Sequence, residues 1–193
     1  MQSRFYTTEK FLLSFMIMSI LTGINGLLVD PGVGHRLREK LLDGYHKDSR
    51  PVRHPWDTIN VTVRAALYQI INVDTARNTI ELTISLKMSW YDYFMVWNPT
   101  EYGDIESTFI PSHLVWTPEL TVLYTVDTQM MTVPHNYLEI HAHHTGYVEF
   151  VVTFTAHTLC PYNVKKFPFD KQTCNISIGS LVHSMKTMDL KPT

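Results

Sequence analysis

Cys160 and Cys174 are the only two cysteines of the chain, and they bracket the run CPYNVKKFPFDKQTC with thirteen residues between them. Redox pairs sit two residues apart, and zinc sites need more cysteine or clustered histidine at short spacing, so this separation suits neither. A structural disulfide is the better reading. A loop of this size contributes about 3 kcal/mol on the chain-entropy account of disulfide stabilisation, and the bond requires an oxidising compartment. A second group with chemical potential is His141-Ala142-His143-His144. On a strand, His141 and His143 share a face and form a candidate zinc or copper pair, but no carboxylate or thiol falls at a companion spacing along the chain. Exposed strand histidines are therefore expected, with no metal and no cofactor. The chain carries no G-x-S-x-G, H-E-x-x-H, glycine-rich phosphate loop or nucleophilic cysteine arrangement, so enzyme activity is not expected.

The N-terminus points to the same compartment as the cysteines. Arg4 and Lys10 precede an apolar stretch from Phe11 to Leu21, followed by the small and polar residues Thr22 to Gly26. That stretch is too short to span a bilayer, and residues 1–26 read as a secretory signal. Two acceptor sequons, Asn60-Val61-Thr62 and Asn175-Ile176-Ser177, agree with secretion. Removing the signal leaves about 167 residues, enough for one domain with a sizeable core. A formal net charge of −2 and the lack of a basic run exclude a nucleic-acid partner from the expectations.

The elements that must carry these residues are mostly strands. His35 to Tyr45 places Leu37, Leu41 and Leu42 at helical spacing, with Gly44 as a stop. Val61, Val63, Ala65, Leu67 and Gln69 alternate with Thr62, Arg64, Ala66 and Tyr68, the period of a strand. After a turn at Asp74 to Asn78, Ile80, Leu82, Ile84, Leu86 and Met88 share one face of an antiparallel partner. Leu120 to Asp127, Tyr137 to His143 and Tyr147 to Thr155 read as further short strands. Trp90, Trp97 and Trp116 are expected to pack a sandwich core. The predicted class is all-β, an immunoglobulin-like β-sandwich with one N-terminal α-helix.

With these elements placed, the Cys160–Cys174 segment resembles the signature loop of the Cys-loop ligand-gated ion channels, the pentameric neurotransmitter receptors, and is close to their nicotinic branch. Four further runs fall in the family's order. Tyr45 to Val52 resembles its YxKxxRPV, and Ile71 to Asp74 with Asn78 resembles its first strand turn. Trp90 to Tyr93 with Trp97-Asn98-Pro99 resembles WxDxxLxWNP, and Trp116 to Glu119 resembles WxPD. The resemblance implies an extracellular ligand-binding domain that assembles as a pentamer with other receptor subunits, expected to be heteromeric, and binds a small-molecule transmitter between subunits. It implies that Phe167, Pro168, Phe169 and Asp170 form a gating-coupling surface, with Asp170 a largely buried carboxylate needing a partner.

The ligand-pocket positions depart from the nicotinic pattern. The loop B tryptophan after Gly179-Ser180 is Leu181, and the tyrosine two places later is His183. The loop D tryptophan is Ser85, and the loop A tyrosine aligns with Leu123, with Tyr124 adjacent. A cation held by aromatic faces gains about 0.5–2 kcal/mol per ring, which Leu181 and Ser85 do not supply. Acetylcholine bound by the usual cation–π mode is therefore not expected.

The sequence stops at Thr193, just after the loop B region. Residues 34–193 accordingly read as a partial ligand-binding domain, a sandwich incomplete at its C-terminus, without the loop C strands or membrane helices. Two readings follow. One is a channel subunit, reaching the postsynaptic plasma membrane through the secretory pathway in a full-length form. The alternative is a secreted truncated subunit acting as a binding or assembly-regulating module.

Overall fold

The computed structural model describes residues 32–126 and 138–193. The expected signal segment lies outside the described residues, as do parts of the strands expected around Asp127 and Tyr137. Helix α1, Val33–Leu42, buries Val33, Leu37 and Leu41, four residues apart, and exposes the charged residues between them. It starts two residues earlier than the spacing suggests and ends at Asp43, whose N–H donates to the Glu39 carbonyl at 2.9 Å. Gly44 follows with φ +68°, the left-handed conformation that closes a helix at least cost when no Cβ is present.

Among the described residues eight strands follow: β1 Ile59–Asp74, β2 Thr79–Val96, β3 Ser107–Pro111, β4 Thr121–Val122, β5 Glu139–His143, β6 Thr145–Leu159, β7 Ile178–Gly179 and β8 Met188–Pro192. Six form one sheet in the order β3-β5-β6-β2-β1-β8, and β4 pairs with β7 in a second, two-stranded sheet. The β1–β2 pair is antiparallel, as its two periodic runs predict. Its turn rests on Asp74, whose Oδ1 accepts the Arg77 N–H at 2.9 Å, and on Asn78 at φ +55°. Asparagine tolerates that region better than most residues.

Period-two alternation is complete along β6, where Val148, Phe150, Val152, Phe154 and Ala156 are buried. The expected face of β2 is buried as well, from Ile80 through Met88 to Trp90. These two central strands meet α1, Ile110, Val115, Val122 and Ile140 in one core. The three tryptophans expected in the core, Trp90, Trp97 and Trp116, belong to it, while Trp56 is exposed: Trp90 packs edge-on against Trp116 at 5.7 Å, and the Trp97 indole N–H donates to the Ile105 carbonyl at 2.7 Å. Among the described residues, the mostly-β, two-sheet architecture with one α-helix is the one expected.

One strand departs from its pattern. In β1 only Ile59 and Val61 are buried and Val63 is partly so, whereas Leu67, Tyr68, Ile70, Ile71 and Val73 stand exposed. β8 runs parallel to β1 only from Ile59 to Val63, so among the described residues that edge of β1 has no paired strand beyond Val63. Alternation alone could not locate this boundary, since burial depends on what lies opposite.

Candidate functional site

The Cys loop begins where β6 ends. Cys160 is fully buried and bonded to Cys174, with the Cα atoms 5.0 Å apart. The loop is fastened to the β1–β2 turn through Asn78, whose carbonyl accepts the Cys160 N–H at 2.8 Å and whose side-chain Oδ1 accepts the Tyr162 N–H at 3.2 Å. The Tyr162 hydroxyl donates to the Thr79 carbonyl at 3.1 Å. The left-handed conformation of Asn78 thus belongs to a joint between two elements lying eighty residues apart in the chain.

Within the loop, Gln172 closes a second ring. Its Nε2 donates to the Asn163 carbonyl and its Oε1 accepts the Asn163 N–H, both at 3.0 Å. Val164–Lys166 forms a single 3-10 turn, and the chain then passes through a cis Phe167–Pro168 peptide. Phe167 is 78 % exposed and Phe169 is 90 % exposed, so neither ring packs onto the sandwich. Asp170 differs from its expected environment. It is half-buried rather than sequestered, and it accepts a hydrogen bond from the neutral Gln172 amide.

The expected ligand-pocket positions fall in two places. Leu123 and Tyr124 follow β4, and Leu181 and His183 follow β7; the pairing Thr121↔Gly179 and Val122↔Ile178 brings the two groups together. The Leu123 N–H donates to the Ser177 carbonyl at 2.8 Å. Ser180 shapes the second group, its Oγ accepting the N–H groups of Val182 at 3.2 Å and His183 at 2.9 Å. Tyr124 and Leu181 are exposed, while His183 is partly buried and lines a groove of about 380 Å³ with Trp116, Thr117, Glu119 and Arg50. Ser85 lies elsewhere, only 6 % exposed in the middle of β2 opposite Ala66 and Thr153. Both sequon asparagines, Asn60 and Asn175, are exposed.

Two constellations were not legible along the chain. The first is a buried carboxylate: Asp92 accepts the Tyr45 hydroxyl at 2.7 Å and the Phe94 N–H at 2.9 Å. Burial pushes its pKa up to about 6, against the opposing pull of the Tyr45 and backbone hydrogen bonds. Burial and the adjacent carboxylate push the Tyr45 hydroxyl up too. Tyr45 Oη also accepts the Trp116 N–H at 3.3 Å, so the stretch after α1, strand β2 and the Trp116 loop meet at this carboxylate. The second is on the solvent side of the large sheet. His141 and His143 share that face, and the β5–β6 pairing sets Glu149 directly opposite His141. Glu149 is a companion across the strands rather than along one, which spacing in the chain does not show.

The family model described as neurotransmitter-gated ion-channel ligand binding domain matches residues 34–193. The chain belongs to this family. The neurotransmitter-gated ligand-binding domain therefore begins within α1 and takes in every strand described above. Curated relatives include the rat neuronal acetylcholine receptor subunit alpha-10, 31 % identical over 97 % of this chain and 40 % of the relative. The human neuronal acetylcholine receptor subunit alpha-4 is 34 % identical over 80 % of this chain and 24 % of its own length. The zebrafish acetylcholine receptor subunit alpha is 31 % identical over 92 % of this chain and 38 % of its own length. The chain thus spans at most about two fifths of these relatives. Membership of a ligand-gated channel family, rather than any missing motif, sets catalysis aside. Among the described residues, no helix is long and apolar enough to cross a membrane.

Within this ligand-binding domain the family runs are structural joints. Asn78 holds the Cys loop, Asp92 gathers Tyr45 and the Trp116 loop, and Arg50 of the YxKxxRPV run donates to the carbonyls of Asp57 and Thr187 at 2.7 and 2.8 Å. The last pair ties the end of the helical region to the segment leading into β8.

Proposed function

We propose that this chain serves as the extracellular ligand-binding domain of a nicotinic-receptor-like channel subunit, with Phe167, Pro168, Phe169 and Asp170 as the surface that passes ligand occupancy to the channel. One observation carries this reading: two phenyl rings held in water at the tip of a disulfide-closed loop. Large exposed rings on a tethered turn are costly without a partner and suited to pressing on one. The anchoring of the loop on Asn78 gives displacement of the sandwich a path to the tip.

Leu181 at the surface and Ser85 inside β2 support a ligand site without the aromatic box. The chain accordingly works in a heteromeric pentamer, as a subunit whose small-molecule ligand is recognised by other means than ring faces. Passage through the secretory pathway follows from the same reading, with glycans on Asn60 and Asn175. Peptide glycosidase treatment is expected to increase the mobility of the secreted chain, with one glycan lost in Asn60→Gln and one in Asn175→Gln; an untouched mobility argues against the secretory route.

The coupling reading is tested by placing residues 34–193 in a nicotinic subunit in place of its matching segment and recording ligand-evoked currents. Coupling energies run about 1–3 kcal/mol, so Phe167→Ala with Phe169→Ala should cut the maximal response or shift half-activation by roughly tenfold while leaving surface expression intact. Unchanged currents from the double variant would sink the proposal.

A further inference from the structure

We propose that His141, His143 and Glu149 form a binding site for one zinc-class divalent ion on the solvent face of the large sheet. The three donor atoms already lie within 4.8 Å of one another. Tetrahedral zinc with bonds of about 2.1 Å holds its ligand atoms roughly 3.4 Å apart, a contraction that side-chain rotation supplies.

The arrangement is fixed by the hairpin rather than by chance proximity. His144 alone separates β5 from β6, and Gly146 takes φ +84° where a Cβ would meet the Asp92 carbonyl oxygen at 2.7 Å. This tight return sets the register His141↔Glu149, while the two-residue period puts His143 on the same face as His141. The imidazoles lie 4.4 Å apart, and His141 is stacked on Phe109 of β3 at 4.6 Å and 13°, which limits its rotation.

Glu149 divides its two oxygens between separate tasks. Oε1 accepts Lys87 Nζ at 2.6 Å and the Tyr147 hydroxyl at 3.3 Å, and Oε2 faces His141 Nδ1 at 3.9 Å. Hydrogen bonds of this sort on a ligating carboxylate orient it toward the metal. The Lys87 contact leaves Oε2 turned toward the imidazoles. The ammonium opposes an added cation, which lowers affinity without blocking the free oxygen. Two imidazoles and one carboxylate suit zinc; no thiolate is present to select Cu(I), and oxygen donors are too few for calcium or magnesium. With His141 29 % exposed and Glu149 24 % exposed, solvent reaches the site and completes the coordination. An ion here would cross-link β5 to β6 independently of the Cys loop and of the β4–β7 positions.

The test titrates the purified full chain with zinc chloride against a chromophoric zinc indicator and repeats the titration with cobalt(II) to read its visible bands. One ion per chain is expected, with tetrahedral cobalt absorption. Affinity should fall by at least about tenfold in Glu149→Gln and in His143→Asn, and stay unchanged in His113→Asn. A thermal melt on each variant, with and without zinc, separates folding from binding: the ion raises the midpoint of the parent chain and not of the site variants. If a site variant does not fold, the imidazole NMR signals of the parent decide, since zinc must then perturb two histidines together and leave the rest. No binding, retained affinity in both site variants, or perturbation of other histidines would overturn the site.

Discussion

Asp92 keeps its proton to about pH 6 because it is buried, whereas an unfolded chain releases it near 3.8. The folded state therefore holds more protons than the unfolded state between those two values, and stability falls as pH rises through that window. The difference amounts to about 3 kcal/mol across the window. Asp92→Asn keeps an acceptor for the Phe94 N–H and a polar partner for Tyr45 but removes the titration. Urea unfolding at pH 4, 5, 6 and 7 should show the variant gaining on the parent by about that amount from pH 4 to 7. Parallel stability profiles for the two proteins would show that Asp92 does not titrate there. Nothing in the spacing of Tyr45 and Asp92 revealed this pair; their runs marked the family, but the contact spans 47 positions.

The Cys loop is the element where sequence and structure agree most closely. Spacing and the absence of other cysteines predicted the bond, and the loop forms it. Replacing Cys160 and Cys174 together by serine should cost about 3 kcal/mol through the freed unfolded loop, read as a lowered denaturant midpoint. Cys160 is fully buried, so a loss well under 1 kcal/mol would mean that the Gln172 and Asn78 bonds hold the loop without it. Phe167→Ala and Phe169→Ala should instead leave the midpoint nearly unchanged, because exposed rings contribute little to folding. The tip was legible as an apolar surface. Its exposure was not, since a local sequence does not say whether two rings turn inward or outward. The environment of Asp170 was missed for the same reason.

At the scale of the molecule, the open half of β1 is the feature that matters most. Leu67, Tyr68, Ile70, Ile71 and Val73 form an exposed apolar stretch on a strand whose pairing with β8 stops at Val63. Exposed apolar strands of this kind template association. Leu67→Lys with Ile70→Lys should reduce self-association of the chain, seen as a smaller light-scattering mass at high concentration with the thermal midpoint preserved. An unchanged mass would show that association, if present, uses another surface.

The sequence by itself determined the fold class, the hairpin of β1 and β2, the disulfide and the family, because these follow from residue period and from short runs read in order. The tertiary structure alone decided which faces are covered and which distant side chains meet. β1 loses its cover after Val63, Tyr45 reaches Asp92, and Glu149 comes to face His141 and His143. The physical reason is common to all three. Alternation says which residues share a face of a strand, but strand register and the packing of opposing layers decide what that face meets.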